Sequence, residues 1–420
     1  MKRFIGILLA FSVLLALVGC NQAPQQNDPT QPTYDPAIVA LVEQPLTWEQ
    51  INAIPVADDS MTEEQLRQII VDFMRLQITF PWTINKNLMY MSNNDPVSIS
   101  KGYAYGGMPY KGSTVSNLYN VMLYYDEATG VIDVEKYGKD VARYIGNQCS
   151  GSSYWAWSRV SNSIKWGGTS EMLRENGCIP VGEYTYSHMI SSWHNFADPS
   201  QGIHTADICK ENGEQVMYES YALLKMADGI SIYRVSAGHV RMIAQDAVVV
   251  RGEDGKIDPD QSYIIYLDQG SSWTTGKQPG GTKIKTQGGV DKKMTFAQMY
   301  NDGYLPWRIP EFAGLDPVEK AAASISLSGD TTVSRLLSAK LSANYPISDI
   351  TFTVKDQNGN VVKTVTVPTL DLNIREYVIA AAVRNAQLEG FADGKHTIEI
   401  STRISTGEKL PVYTGTLNAG

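Results

Sequence analysis

A cysteine among small residues, a histidine after a glycine and a carboxylate at a strand end could together run nucleophilic chemistry. Cys149 stands in Gly146-Asn147-Gln148-Cys149-Ser150-Gly151, ahead of Tyr154-Trp155-Ala156-Trp157, and the pattern starts a helix at or just after the thiol. A Cys at a helix start faces the positive end of the macrodipole and free backbone N–H groups, and both favour thiolate over thiol. Small residues at Ser150 and Gly151 leave room for a substrate carbonyl. The N–H of Cys149, flanked by Gln148 and Ser150, could help form an oxyanion hole. His239 opens an apolar strand in Gly238-His239-Val240-Arg241-Met242-Ile243, a rigid seat for a base. A second strand, Tyr263-Ile264-Ile265-Tyr266-Leu267, ends in Asp268-Gln269. From a neighbouring strand, one of these two would hold the far nitrogen of the His239 ring, the third role in a Cys-His-polar triad. Asp268 is favoured over Gln269 because a carboxylate also stabilises imidazolium. Alternation along a strand lets only one of them face inward.

The elements that must position these groups are of mixed type, so the fold class expected is α+β. A helix is expected from Met61 to about Gln77, with Ser60 as N-cap, Glu63 and Glu64 in the first turn, and Leu66, Ile69, Ile70 and Phe73 as one apolar stripe. Pro81 ends it. From Trp82 to about Arg308 the sequence mixes short apolar runs with loops dense in Gly, Ser and Tyr. Strands are expected at His239 to Val250 and Tyr263 to Leu267. After about Pro317 the texture becomes short β-type segments. Asp349–Lys355 and Val361–Val367 flank Asn358-Gly359, a strong hairpin signal. With strands at Thr397–Ser405 and Pro411–Leu417, and one helical insert around Arg375–Leu388, this end reads as a β-sandwich of immunoglobulin-like size.

The N-terminus points outside the cytoplasm. Lys2 and Arg3 precede an apolar run from Phe4 to Leu17, shorter than the about 20 residues a membrane span needs. It therefore reads as a signal segment. Its end, Leu17-Val18-Gly19-Cys20, resembles the lipobox of bacterial lipoproteins, in which the Cys is diacylated and the peptide is cut just before it. The resemblance implies a membrane anchor through lipid on Cys20. Residues 1–19 are then signal peptide, 20–45 a flexible tether rich in Gln, Pro, Asn and Asp, 46–315 a catalytic domain and 316–420 an accessory domain. The net charge of −9 falls further once Lys2 and Arg3 are removed, which argues against nucleic acid or an anionic lipid face as partner.

Four cysteines in 420 residues make no disulfide scaffold. With Cys20 lipidated, Cys149, Cys178 and Cys209 remain, an odd number. Cys178 and Cys209 read as inert thiols or as a disulfide with each other. His188, His194 and His204 gather near Cys209 in sequence, but their spacing fits no compact ligand pattern, so no metal and no cofactor are expected. Each functional reading has a plainer one beside it. Cys149 could be a structural thiol, Tyr154–Trp157 helix core, and Asp268 a solvated strand-end charge.

The order of these elements resembles the NlpC-type cell-wall peptidases, a branch of the papain-like cysteine hydrolases. Tyr103-Ala104-Tyr105-Gly106-Gly107 is similar to that family's Tyr-rich Gly-Gly segment. Cys149-Ser150-Gly151 is similar to its nucleophile motif, Gly238-His239-Val240 to its base motif, and Lys225-Met226-Ala227-Asp228-Gly229 to the turn before that strand. The resemblance covers Tyr103 to Gln269. It implies a papain-like domain that hydrolyses amide bonds in peptidoglycan stem peptides, with Cys149 as nucleophile, His239 as base and Tyr103 assisting the oxyanion hole. Two rivals stand beside it: a catalytically inactive binding or scaffolding lipoprotein of the same fold, and a cysteine protease or transferase acting on protein substrates.

Overall fold

In the computed structural model, residues 34–92, 95–112, 116–169, 177–186, 204–234, 237–369 and 373–418 are described. Cys20, the signal segment, most of the tether, His188 and His194 lie outside them. The helix expected from Met61 runs Glu63–Thr79 (α1), and Thr62 rather than Ser60 is its N-cap. The Thr62 hydroxyl accepts from Gln65 N at 3.3 Å, and the Gln65 side chain accepts from Thr62 N at 2.8 Å, a reciprocal capping box. Its stripe Leu66, Ile69, Ile70 and Phe73 is buried, and extends to Met74 and Ile78 at helical spacing. Residues that composition assigns to the tether are folded from Asp35 onward. Pro36–Val39 is a helical turn capped by Asp35, Ile38 and Val42 are buried, and Leu46 N donates to Tyr125 Oη at 2.8 Å.

Ten strands form the main sheet. In chain order they are Pro81–Ile84 (β1), Ala104–Gly106 (β2), Tyr125–Asp126 (β3), Val131–Ile132 (β4), Ile179–Pro180 (β5), Gly229–Arg234 (β6), Ala237–Val248 (β7), Tyr263–Lys277 (β8), Lys283–Thr295 (β9) and Leu305–Arg308 (β10). Their order across the sheet is β3-β4-β1-β2-β9-β8-β7-β6-β10-β5. The pairs β1–β4 and β9–β2 are parallel and the rest antiparallel. The strand expected to stop at Leu267 continues to Lys277 and pairs with β9 in a long hairpin. Its polar half carries no apolar alternation, so the sequence reads there as loop. Helix Cys149–Trp157 (α2) is buried at every residue, packed between α1 and the strands β7 and β8. Trp157 Nε1 donates to Ala227 O at 2.7 Å, and Gln77 Nε2 on α1 donates to Ser152 O at 3.0 Å.

At the entry to β6, Asp228 is fully buried and pinned by two cations, Arg67 Nη1 on α1 and Arg308 Nη2 on β10, both at 2.8 Å. Burial pushes its carboxyl up and the two guanidinium groups pull it down, with burial the larger. This ties α1 to the strand pair that leads into His239.

Beyond Pro317 lie a five-stranded sheet and a three-stranded sheet. The first orders Thr331–Thr332, Lys409–Asn418, His396–Ile404, Ile347–Lys355 and Val361–Pro368; the second Ala323–Ile325, Lys340–Ala343 and Glu376–Val378. Short helices Val333–Ser338 (α3) and Ala380–Ala386 (α4) pack with them. The expected turn is present: Gly359 has φ +82°, and Asp356 accepts from Asn358 N and Asn360 N at 2.9 and 2.8 Å. This end has its own core, built on Leu336, Leu341, Ile350, Phe352, Ile398 and Ile400, separate from that of the main sheet. Even so, Asp35–Gly420 forms one compact unit. The seam is polar and buried: Asn117 Nδ2 to Ser348 Oγ at 2.9 Å, Asn120 Nδ2 to Ser348 O at 3.1 Å and Ser405 Oγ to Ser158 O at 2.6 Å. The architecture is mixed α+β.

Candidate active site

The start of α2 is set by the two residues before Gln148. Gly146 has φ +130°, and a Cβ there would lie 2.7 Å from Lys111 Cβ, so only glycine fits. Asn147 bridges in parallel to Tyr110, with Asn147 N donating to Pro109 O at 3.0 Å and Lys111 N to Asn147 O at 2.7 Å. Its side chain accepts from Gln148 N at 2.8 Å and donates to Ser116 O at 2.7 Å. The first bond inside the helix is Ser152 N to Gln148 O at 2.9 Å. The N–H groups of Cys149, Ser150 and Gly151 therefore have no acceptor within α2.

His239 faces this helix end from β7. Residues two apart share a face of a strand, so Arg241 stands on the same side. From β8, Asp268 reaches both: its Oδ2 lies 2.9 Å from His239 Nε2 and 3.3 Å from Arg241 Nε. The ladder with β9 is irregular between Tyr266 and Asp268, where Asp268 comes to face Gly289. A Cβ on Gly289 would overlap Asp268 Oδ1, so a glycine on β9 makes room for the carboxylate. With Nε2 committed to Asp268, Nδ1 is the ring nitrogen left to face the Cys149 thiol, and ring and thiol shift each other's proton affinity. Arg241 is itself held by ring faces, its guanidinium carbon 4.3 Å from the Tyr266 centroid and 4.9 Å from that of Tyr304.

The electrostatics follow from these contacts. Burial opposes the charged His239 ring, but hydrogen bonds with Asp268 and Cys149 and their negative charge outweigh it, raising its pKa to about 9. Burial likewise opposes the Cys149 thiolate. The hydrogen bond and positive charge of His239, then the N–H groups of Val240 and Ser150, bring the thiol below its ordinary value. Asp268 is also lowered: burial works against it, and His239 and then Arg241 prevail. The other two thiols go the opposite way. Burial pushes Cys178 far up and Cys209 up to about 12. Both are free, so the alternative of a disulfide between them is not realised.

Of the residues singled out in the sequence, the structure gathers Cys149, His239, Asp268, Gln148 and Ser150 and sets two others elsewhere. Gln148 is the half-buried N-cap of α2, and its side chain makes no capping bond. Ser150 is buried and its Oγ accepts from Trp166 Nε1 at 3.3 Å. Gln269 points to the other face of β8, fully buried, where its Nε2 donates to Met108 O at 2.8 Å. Tyr103 is 47% exposed, with Lys285 Nζ 3.4 Å from its ring centroid. The Tyr110 phenol is pushed up to about 12 by burial and then by the charge of Cys149. Tyr110 therefore stands beside Tyr103 as a candidate for the oxyanion role. Tyr110 lies three residues after the Gly106-Gly107 pair, as Tyr103 lies three before it. Arg241, Gly289 and Trp166 carried no sequence signal for a role. Among the described residues no group of three or more His, Cys, Asp and Glu gathers in a metal-binding arrangement. No protein-family model, no curated protein and no solved structure matches this chain.

Proposed function

We propose that this chain is a cysteine hydrolase with a papain-like, NlpC-type catalytic domain and an immunoglobulin-like C-terminal sandwich, anchored outside the cytoplasm by lipid on Cys20. Its substrates are amide bonds in peptidoglycan stem peptides. The observation that carries the reading is Cys149 at the head of α2, its thiol lowered by a His239 whose Nε2 lies 2.9 Å from Asp268. The Cys149 thiolate attacks the carbonyl carbon and the oxygen takes up the displaced electron pair. Backbone N–H groups at the start of α2 and the Tyr110 hydroxyl stabilise that oxyanion. Collapse expels the amine, which takes its proton from the His239 imidazolium. Neutral His239 then removes a proton from water as it attacks the thioester. The acid product leaves, and thiolate and imidazolium are restored. Asp268 holds the ring orientation and stabilises its charged form throughout. No step calls on a cofactor.

The alternative is an inactive surface-binding lipoprotein of the same fold, and its supporting observation is the burial of Cys149 to 4% exposure. Iodoacetamide labelling of the folded protein, read by mass spectrometry, separates the two. The hydrolase reading expects Cys149 to label well ahead of Cys178 and Cys209, and Cys149→Ser to lose all muropeptide cleavage with an unchanged melting temperature. Uniformly slow labelling of all three hands the chain to the binding reading.

A further inference from the structure

The segment that leaves α2 crosses the catalytic pair. From the chain after Trp157 it runs to Trp166, whose indole Nε1 meets Ser150 Oγ at 3.3 Å, beside the nucleophile. Three residues on, Thr169 is buried against Gly238, the neighbour of His239, so closely that a Cβ on Gly238 would overlap Thr169 Oγ1. One strap therefore touches the neighbour of the thiol and the neighbour of the base. Trp166 is only partly buried.

The other side of the strap is held by residues beyond Pro317. Asn373 grips the Trp166 backbone at both polar atoms: its Oδ1 accepts from Trp166 N at 2.8 Å and its Nδ2 donates to Trp166 O at 2.9 Å. Arg375 Nη2 donates to Asn162 O at 2.7 Å and Ile164 O at 3.2 Å. Ser405 Oγ donates to Ser158 O at 2.6 Å. Four carbonyls between Ser158 and Trp166 thus find their donors in turns and bends beyond Pro317. A backbone stretch without strand or helix partners of its own takes its conformation from whatever satisfies it.

We infer that Trp166 is a wall of the substrate cleft, and that Asn373 of the C-terminal part is a positioning residue that fixes this wall and so sets how extended peptide substrates bind. The inference rests on the reading of Cys149 as nucleophile and deepens it. The C-terminal sheets belong to the specificity of the site, beyond any role in binding a wall or partner.

The test uses the full chain and two alkylating probes, iodoacetamide and a dipeptidyl chloromethyl ketone, on the parent protein and on Trp166→Ala, Asn373→Ala and Asn373→Asp. For the bulky probe, Trp166→Ala and Asn373→Ala should each raise the concentration for half-maximal inactivation roughly tenfold, the scale of two lost neutral hydrogen bonds. In Asn373→Ala the limiting rate, the iodoacetamide rate and the melting temperature should hold. Asn373→Asp keeps the acceptor for Trp166 N and should fall between. A response in Trp166→Ala without one in Asn373→Ala overturns the positioning role, and no response in either overturns the wall. A parent protein whose Cys149 reacts no faster than Cys178 defeats the nucleophile reading first, so the failures are distinguishable.

Discussion

Replacing Asp268 with Asn exchanges one carboxylate oxygen for an amide nitrogen and leaves an acceptor for His239 Nε2, so it removes charge with little change of shape. His239 rises from an ordinary 6.5 to about 9, which corresponds to about 3 kcal/mol in favour of imidazolium. Asp268 and Cys149 supply that preference against the cost of burial, and the hydrogen bond with Asp268 is the largest single favourable cause. An opposite charge at contact distance is worth about 1 to 3 pKa units, and the surviving hydrogen bond recovers part of it. Asp268→Asn should therefore lower the His239 pKa by about 1 to 2 units, and the ratio of thiolate–imidazolium to neutral pair should fall about ten- to a hundredfold. The signs are opposite on the two limbs of a pH–rate profile. In the parent protein the reactive pair forms as pH rises through the lowered pKa of Cys149 and is lost as His239 deprotonates near 9. In the variant the upper limb moves down. With less imidazolium beside it the thiol limb moves up, so the bell narrows from both sides. The assay is kcat/KM for a soluble muropeptide across pH 5 to 10, paired with iodoacetamide rates over the same range. An upper limb that stays near 9 in Asp268→Asn, with the parent profile unchanged in width, refutes the assignment of Asp268 to His239.

Two further outcomes follow from the placement of neighbouring side chains. Tyr110→Phe removes the phenol hydroxyl and should lower kcat on the order of tenfold to a hundredfold, whereas Tyr103→Phe should leave steady-state rates unchanged; the reverse ranking gives the role to Tyr103. Gln269→Ala strips a buried amide from Met108 O and should cost about 2 to 4 kcal/mol in urea unfolding, while Asp268→Ala should act on turnover, so a larger activity loss in Gln269→Ala than in Asp268→Ala contradicts the facing read here.

The parts of the site that could be read from sequence are those whose signal is local. A Cys ahead of an apolar run marks a helix start, a Gly-His ahead of alternating apolar residues marks a strand, and Asn358-Gly359 marks a turn, because each depends on a few adjacent residues. What escaped depends on pairing across the chain. Tyr110 comes to lie beside the residues ahead of Cys149 only because its backbone bridges to Asn147. The choice of Asp268 over Gln269 was left to chemistry, and the irregular ladder beside Gly289 is what turns the carboxylate toward His239. The second half of β8, with Gly270, Ser271, Ser272 and Gly276, is largely exposed, and a strand that buries little carries no alternation to read. Asn373 touches the strap some two hundred residues away in sequence, and no periodicity announces such a contact. Ser60 failed as a cap for a simpler reason: Thr62 and Gln65 form the reciprocal box, while Ser60 Oγ is taken by Asp58 at 2.5 Å.

The two inert thiols bear on how the molecule meets oxidants and reductants. Cys178 and Cys209 are free, buried and held protonated, so among the described residues no covalent cross-link supports the fold. A reductant added to keep Cys149 active thus has no staple there to cut. Peroxide, which reacts with thiolates, finds Cys149 first and converts it to sulfenic acid. Neither of the other sulfurs carries the thiolate needed to resolve that sulfenic acid into a disulfide. Recovery of the thiol then depends on a small external thiol, so the redox state of the surroundings acts on Cys149 and leaves the fold untouched.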